Sequence, residues 1–294
     1  MAAIALCAAA TAISAQSSMG FLNVNPDAAS VALAGTSVGR AADAYSVEGN
    51  MAAAAQSASR LDAGAGFSLW QPNATKASVI SVSGFGRLGK KLAIGASFKN
   101  FANQEYSLTS AEGRVSGTFT PKEMAVRLGA SYLITEGLSA GVDVGFASSS
   151  IGEQAKASGV VFGVSAFYSK DALSAGLSVS NIGGKVSYGG ASEYSLPTVA
   201  RLGAAYALPF GLNLSAEADY VLSCGLMAGL GAEYWIKDIV ALRAGYHYGS
   251  EQAIPSYASV GLGANIKGIK LNAAYLLASE TLGGTMMFTL GYSF

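Results

Sequence analysis

Residues 285–294, TMMFTLGYSF, alternate strictly between two kinds of side chain. The positions in one set are mostly small or polar, and the other set contains only large apolar side chains, those of Met286, Phe288, Leu290, Tyr292 and Phe294. Successive side chains of a strand point to opposite faces, so this segment predicts a strand that is apolar on one face. A strand of this kind that ends the chain on an aromatic residue is typical of outer-membrane β-barrels, and it indicates a protein built for a bilayer.

The composition of the chain agrees with a membrane protein that has no membrane helix. Its 294 residues include 37 glycines, only 12% are charged, and the mean hydropathy is +0.38. Soluble domains usually have about 25% charged residues, and beyond the N-terminus no run approaches the roughly 20 apolar residues of a membrane helix. Because lipid admits only structures that satisfy their backbone polar groups internally, the chain is predicted to form an all-β, transmembrane antiparallel β-barrel. The formal net charge of zero predicts no nucleic-acid partner.

From about residue 60 onward, the chain is a series of short alternating segments separated by Gly, Asn, Asp or Pro, which is the pattern of half-buried strands. One face is apolar and the other is polar or glycine, which indicates apolar side chains toward lipid and polar ones toward the lumen. The segment at 113–134 contains Pro121 and allows one kinked strand or two pieces. Long connections near 102–112, 182–195 and 249–255 are expected outside the cell. About fourteen strands are predicted, at 60–70, 77–87, 90–101, 113–134, 137–150, 157–169, 171–181, 196–208, 211–223, 225–236, 238–248, 256–266, 269–278 and 284–294.

The chain divides into three parts. Residues 1–15 are a short apolar stretch ending in small residues, which predicts a signal peptide although the usual basic n-region is absent. Residues 16–58 are rich in Ala, Ser, Gly and Asn and alternate only weakly. Because fourteen strands enclose a lumen too wide for their own side chains to fill, we expect residues 16–58 to form an N-terminal plug or hatch. A flexible periplasmic extension is the alternative. Residues 59–294 are predicted to form the barrel.

Several charged residues share the inward parity of their strands. Mixed signs inside a lumen usually pair with each other or with a plug, because an uncompensated buried charge is costly. We therefore predict a structural charge network in the lumen, and a role in ligand or ion selectivity is the alternative. The predicted members are Arg127, Asp143, Arg201, Glu217, Asp219, Glu233, Arg243 and His247.

One motif of catalysis occurs in the chain. Residues 35–39 match the nucleophile pattern G-x-S-x-G around Ser37, and the single histidine, His247, would have to act as the base. Small residues dominate this sequence, so such a short match is expected by chance, and we predict that the protein is not an enzyme. One histidine and one cysteine beyond the signal peptide give no support for a metal site, and no cofactor is predicted.

Two stretches resemble a known family. Residues 21–50, FLNVNPDAASVALAGTSVGRAADAYSVEGN, resemble the N-terminal signature of the PorV/PorQ family, outer-membrane proteins related to FadL-type fatty-acid transporters. Residues 96–146 are similar to a second family stretch with a PxE core, here PKEMA. The sequence departs from the family pattern at Ala29, where arginine is expected, and at Met51, where proline is expected. The matching positions include Phe21, Leu22, Asp27, Gly35, Asp43, Asn50, Pro121 and Glu123.

The resemblance implies a location and a function. It implies a non-enzymatic barrel in the outer membrane of a Gram-negative bacterium, in direct contact with the lipid bilayer. The barrel would bind or shuttle cargo proteins that carry C-terminal secretion signals, or other proteins of the type IX secretion system. The relation to FadL-type transporters implies an alternative, a channel for the uptake of a hydrophobic small molecule.

Overall fold

The protein is a closed barrel of fourteen antiparallel strands, as the alternating segments predicted. This computed structural model describes residues 18–109, 114–152, 154–222, 224–249, 254–279 and 281–294. The predicted signal peptide at 1–15 lies outside those residues. None of the helices in the described ranges is long and apolar enough to cross a membrane.

The strands follow the predicted segments closely. Fourteen of them form the barrel, and the pairs β4–β5 and β10–β11 form two small separate sheets. In chain order the strands are β1 (Leu61–Trp70), β2 (Ala77–Leu88), β3 (Leu92–Ala102), β4 (Tyr106–Thr109), β5 (Val115–Phe119), β6 (Lys122–Thr135), β7 (Leu138–Ser150), β8 (Lys156–Lys170), β9 (Leu173–Gly183), β10 (Lys185–Val186), β11 (Tyr194–Ser195), β12 (Val199–Ala207), β13 (Leu212–Val221), β14 (Gly225–Ile236), β15 (Val240–Tyr248), β16 (Tyr257–Ile266), β17 (Ile269–Ala278) and β18 (Met286–Ser293).

The segment predicted at 113–134 consists of two pieces. β5 ends before Pro121 and pairs with β4 in a hairpin, and β6 begins after Pro121 and enters the barrel between β3 and β7. Proline has no backbone N–H to give to a strand ladder, which explains why the chain leaves one sheet and joins another at this residue.

The C-terminal strand closes the barrel. β18 pairs with β1 in register from Asp62↔Ser293 to Leu69↔Met286. Phe288 and Leu290 are 48% and 54% exposed on the outer face, whereas Met287 and Thr289 on the inner face are buried. The strand is thus apolar toward lipid, as the terminal sequence predicted.

The two ends of the barrel differ in the length of their connections. Connections of two to four residues join β2 to β3, β6 to β7, β8 to β9, β12 to β13, β14 to β15 and β16 to β17. The opposite end carries the longer connections and the β4–β5 hairpin, and among its connections the one from β13 to β14 is also short, with three residues. Short turns predominate at the periplasmic end of such barrels, so this opposite end is the extracellular one. Exposed tyrosines stand near the periplasmic ends of five strands and form an aromatic girdle: Tyr132, Tyr168, Tyr206, Tyr234 and Tyr292.

Residues 18–58, called here the N-terminal segment, lie inside the barrel. The segment begins at the extracellular end, where Ser18 N donates to Ser195 O. It passes through a short helix, α1 (Ala28–Ala32), that contacts β15 to β18, and a 3₁₀ helix (Met51–Gln56) that contacts β6 to β8. The segment therefore crosses the lumen from one wall to the other before the chain enters β1.

Inward-facing glycines let the N-terminal segment lie directly on the wall. A Cβ atom on Gly176 would overlap Val38 O, and one on Gly229 would lie 2.6 Å from Ala34 O. Distances this short exclude any side chain, so the backbone of residues 32–39 approaches the strands as closely as glycine permits. The glycine-rich inner face of these strands is thus a contact surface for the segment.

Candidate functional site in the barrel lumen

The structure brings six of the eight predicted lumen residues into cross-strand ion pairs. Arg127 Nη1 lies 2.9 Å from Asp143 Oδ1, and Arg243 Nε lies 2.7 Å from Glu233 Oε2. The third pair joins Arg201 Nε and Asp219 Oδ2 at 3.7 Å. Each pair joins neighbouring strands, and both the second and the third join directly opposed residues. Side chains of opposite charge at such positions compensate each other across the ladder.

Glu217 and His247, the other two predicted residues, contact the N-terminal segment instead. Glu217 Oε2 accepts from Ser37 N and Val38 N, each at 2.7 Å. The His247 ring stacks on Tyr257 with centroids 4.7 Å apart, and its Nδ1 lies 3.3 Å from Ala34 O. Both side chains therefore fix the backbone of residues 34–38 to the wall.

Ser37 lies in an irregular stretch after α1. The nucleophile pattern requires a strand before the serine and a helix after it, and here a helix precedes it. The backbone N–H of Ser37 serves to bind Glu217. This local structure differs from the one in which a G-x-S-x-G serine acts as a nucleophile.

A second ion-pair network, between the segment and the wall, was not predicted. The Lys99 side chain is 1% exposed, and its Nζ donates to Glu48 Oε2 at 3.0 Å, to Leu22 O at 2.9 Å and to Val24 O at 3.2 Å. Arg127 Nε lies 3.8 Å from the same Glu48 oxygen. Burial alone would raise the pKa of Glu48, but the positive charges of Lys99 and Arg127 lower it to about 2.

Only part of this network was accessible from sequence. Lys99 has inward parity in β3, alternating with the outward Phe98, so its position in the lumen follows from the strand pattern. Glu48 lies in the non-periodic N-terminal segment, and the sequence shows nothing of its partner. A further pair that was not predicted joins Lys270 Nζ of β17 and Asp62 Oδ2 of β1 at 2.6 Å, across the intervening β18.

The polar family-motif positions of the N-terminal segment cap and turn its backbone. Asp27 is the N-cap of α1 and accepts from Ala29 N and Ser30 N. Asp43 Oδ1 accepts from Tyr45 N at 2.9 Å, which forms an Asx turn. Asn50 caps the 3₁₀ helix through Ala52 N and donates to Val38 O and Ala166 O. Gly35 has φ +85°, a conformation that favours glycine. The motif thus specifies how the segment folds inside the barrel.

The remaining motif positions lie near the extracellular end. Phe21 and Leu22 are buried, and the Phe21 ring packs edge-to-face on Phe101 with centroids 5.7 Å apart. Pro121 precedes β6, and Glu123 Oε1 accepts from Ser149 Oγ at 3.0 Å. These contacts pack the start of the segment against the wall and tie β6 to β7.

Cavities of different size lie in the lumen between the described part of the segment and the wall. The one in the extracellular half has a volume of about 60 Å³ and a polar side that includes Ser37, Arg201, Glu217, Asp219 and His247. Two others lie toward the periplasmic end, with volumes of about 190 and 480 Å³, and both are lined by Arg40 and Glu233. Within the described ranges, no three His, Cys, Asp or Glu side chains are placed to hold a metal ion.

The chain is similar in sequence to one family and in fold to several solved barrels. Residues 8–216 match the model of a family described as Type IX secretion system protein PorV. None of the curated proteins matches the chain.

The structural similarity is to two toluene transporters and a FadL homologue. The Ralstonia pickettii toluene transporter TbuX aligns with a TM-score of 0.67 and 14% identity over 92% of this chain and 98% of that one. The Pseudomonas putida toluene transporter TodX aligns with a TM-score of 0.65 and 13% identity over 90% of this chain and 95% of that one. A Pseudomonas aeruginosa FadL homologue aligns with a TM-score of 0.59 and 12% identity over 91% of this chain and 98% of that one. At these identities the likeness shows a common fold.

Proposed function

The chain belongs to the PorV family of type IX secretion system proteins, and from this premise we propose that it binds or shuttles secreted cargo proteins for that system. Its barrel is an outer-membrane protein of a Gram-negative bacterium. The family match, which covers more than two thirds of the chain, is the observation that supports the proposal. The cargo is expected to carry C-terminal secretion signals, and the role is non-enzymatic.

A closed lumen is part of this proposal, with residues 16–58 as the plug. The described part of the segment is anchored on strands all around the barrel. It is hydrogen-bonded to Ser81 of β2, Lys99 of β3, Ser139 of β7, Ser165 of β8, Ser174 of β9, Glu217 of β13 and Ser259 of β16. A protein-binding barrel needs a rigid wall and exposed loops, and it needs no path through the lumen.

An uptake channel for a hydrophobic small molecule is the alternative that the fold relatives suggest. Ligand pockets usually have volumes of about 300–1,000 Å³ and mostly apolar walls. The cavity in the extracellular half, where such a molecule would enter, has about 60 Å³ and several charged side chains. Uptake would therefore require the N-terminal segment to move, which makes protein binding the better-supported function.

The test is purification of the tagged full chain from native outer membranes in mild detergent, followed by mass spectrometry of proteins and lipids. Recovery of proteins that share a C-terminal secretion domain is the expected result. A second tagged outer-membrane barrel from the same cells is the control and should not recover them. A stoichiometric apolar molecule without any protein partner would instead establish the uptake channel.

A further inference from the structure

The cavity of about 190 Å³ is surrounded by charged side chains. It lies between the N-terminal segment and β1 and β14 to β18, toward the periplasmic end of the lumen. The segment contributes Asp27, Arg40 and Asp43, and the wall contributes Asp62, Glu233, Arg243 and Lys270. Four carboxylates thus face three basic groups, which leaves one negative charge in excess.

Two of the carboxylates are neutralised by direct ion pairs in the wall. Glu233 pairs with Arg243 at 2.7 Å, and Asp62 Oδ2 pairs with Lys270 Nζ at 2.6 Å. Asp27 accepts from the backbone and hydroxyl of Ser30 at the start of α1. Asp43 remains, and among the described contacts its carboxylate accepts from the backbone of Tyr45. Arg40 is the third basic group, and its charge acts on Asp43. Asp27 and Asp43 together exceed Arg40 by one charge, so the excess negative charge is located on the segment side of the cavity.

Asp62 adds an acceptor that lacks a donor. Its side chain is 1% exposed, and its Oδ1 has no hydrogen-bond partner among the residues that the structure describes. A buried carboxylate oxygen without a donor costs about 1–3 kcal/mol or more, so such an atom beside a cavity indicates a missing donor. Asp62 lines the same cavity as Asp43.

We propose that this cavity binds a guanidinium or primary ammonium group that enters from the periplasm and donates to Asp43 and Asp62. Both groups offer several N–H donors and one positive charge, which matches the acceptors and the excess charge. Within the described ranges, no three His, Cys, Asp or Glu side chains are placed to hold a metal ion, whereas a guanidinium offers five N–H donors in a fixed plane. The volume of about 190 Å³ is more than ten times the roughly 10–15 Å³ that one water needs, which is enough for such a group and some water.

The protonation of Asp43 supports the same site. Burial and the neighbouring charge of Asp27 raise the pKa of Asp43 to about 7, although Arg40 opposes the shift. A bound cation favours the ionised carboxylate, so binding near pH 7 releases a proton. The affinity should accordingly rise as the pH increases through 7. The other charged groups around the cavity are those named above, and Tyr45 is the further titratable group on its lining.

The experiment is calorimetric titration of the full chain in detergent with methylguanidinium chloride, with tetramethylammonium chloride as a cation that has no N–H donor. We expect saturable binding of one methylguanidinium per chain and none of tetramethylammonium. The heat should depend on the ionisation enthalpy of the buffer at pH 7, because a proton is released. The same titration is then made with a short peptide that has one arginine and blocked termini. If the peptide binds at least tenfold more tightly than methylguanidinium, the natural ligand group is a polypeptide side chain; equal affinity would identify a free cation.

Two variants make the test specific. Asp43→Asn keeps the Asx turn but removes the charge, and we expect at least tenfold weaker binding without proton release. Asp219→Asn removes a lumen carboxylate beside the other, extracellular cavity and should bind as the parent does. Equal binding by Asp43→Asn and the parent, or no saturable binding by the parent, would overturn the proposal. Because no cargo protein is present, the result is independent of the proposed secretion function.

Discussion

The two halves of the lumen are filled in different ways. In the extracellular half, Phe21, Leu22 and Val24 pack in a buried apolar cluster with Phe101 and Val161, and buried Lys99 binds the segment. The cavity there has about 60 Å³. In the periplasmic half, Arg40 and Asp43 are only partly buried, and the cavities have about 190 and 480 Å³. The N-terminal segment is therefore fixed at the end that faces the outside, and solvent reaches it from the periplasm.

Breaking the buried ion pair of the extracellular half should have the largest effect. Glu48→Ala leaves Lys99 buried without its carboxylate, and we expect a loss of about 3–5 kcal/mol in the free energy of unfolding. The measurement is urea unfolding of the chain in lipid vesicles, with protease access to residues 18–25 as a second readout. Replacing both partners, as Glu48→Leu with Lys99→Met, should cost much less. A small effect of Glu48→Ala would show that this end is not fixed by the pair.

A methyl group added to one of the inward-facing glycines tests how closely the N-terminal segment lies on the wall between the two halves. The new Cβ of Gly176→Ala would overlap Val38 O, so we expect a loss of about 1–3 kcal/mol and faster hydrogen exchange of residues 33–40. Gly86→Ala is the matched control, since its Cβ would lie 3.9 Å from Leu61 Cδ1, an ordinary contact. If both variants lose the same free energy of unfolding and exchange hydrogen at the same rate, the N-terminal segment does not approach the wall this closely at Gly176.

The two halves should respond to pH in opposite directions. The pKa of Glu48 is lowered to about 2, so its stabilisation is present above pH 4.5 and is lost as the pH falls toward 2. The pKa of Asp43 is raised to about 7, so its carboxylate increasingly destabilises the folded state as the pH rises from about 4 to 7.

Asp43→Asn should therefore be more stable than the parent above pH 7, by about 2 kcal/mol after solvent screening, and equal to it below pH 4. Unfolding free energies between pH 3 and 8 measure this difference. A constant difference at every pH would mean that ionisation of Asp43 is not its cause.

The barrel could be predicted from sequence because successive residues of each strand face lipid and lumen in turn, and these two environments favour different side chains. The same parity predicted that Arg201, Asp219, Glu233 and Arg243 face the lumen. Parity does not give strand register, so the opposition of Arg201 to Asp219 and of Glu233 to Arg243 is known only from the structure. The contacts of the N-terminal segment could not be predicted, because Glu48 and Asp43 lie in turns without periodicity. Their partners depend on the path of the segment through the lumen, and no local pattern encodes that path. The role of the lumen charges and the plug itself stay predictions.

The smallest effect is expected for the side chain of Ser37. Glu217 binds the backbone N–H groups of Ser37 and Val38, so Ser37→Ala should change the unfolding free energy by less than about 0.5 kcal/mol. Glu217→Ala removes the acceptor of both N–H groups and should cost about 1–3 kcal/mol for each one left unpaired. Ser37→Ala also tests catalysis, since hydrolysis of a short-chain ester should be indistinguishable from background for the parent and for Ser37→Ala. An activity that is present in the parent and lost in Ser37→Ala would show that the serine is a nucleophile. It would also show that the extracellular half of the lumen admits a substrate despite its packing.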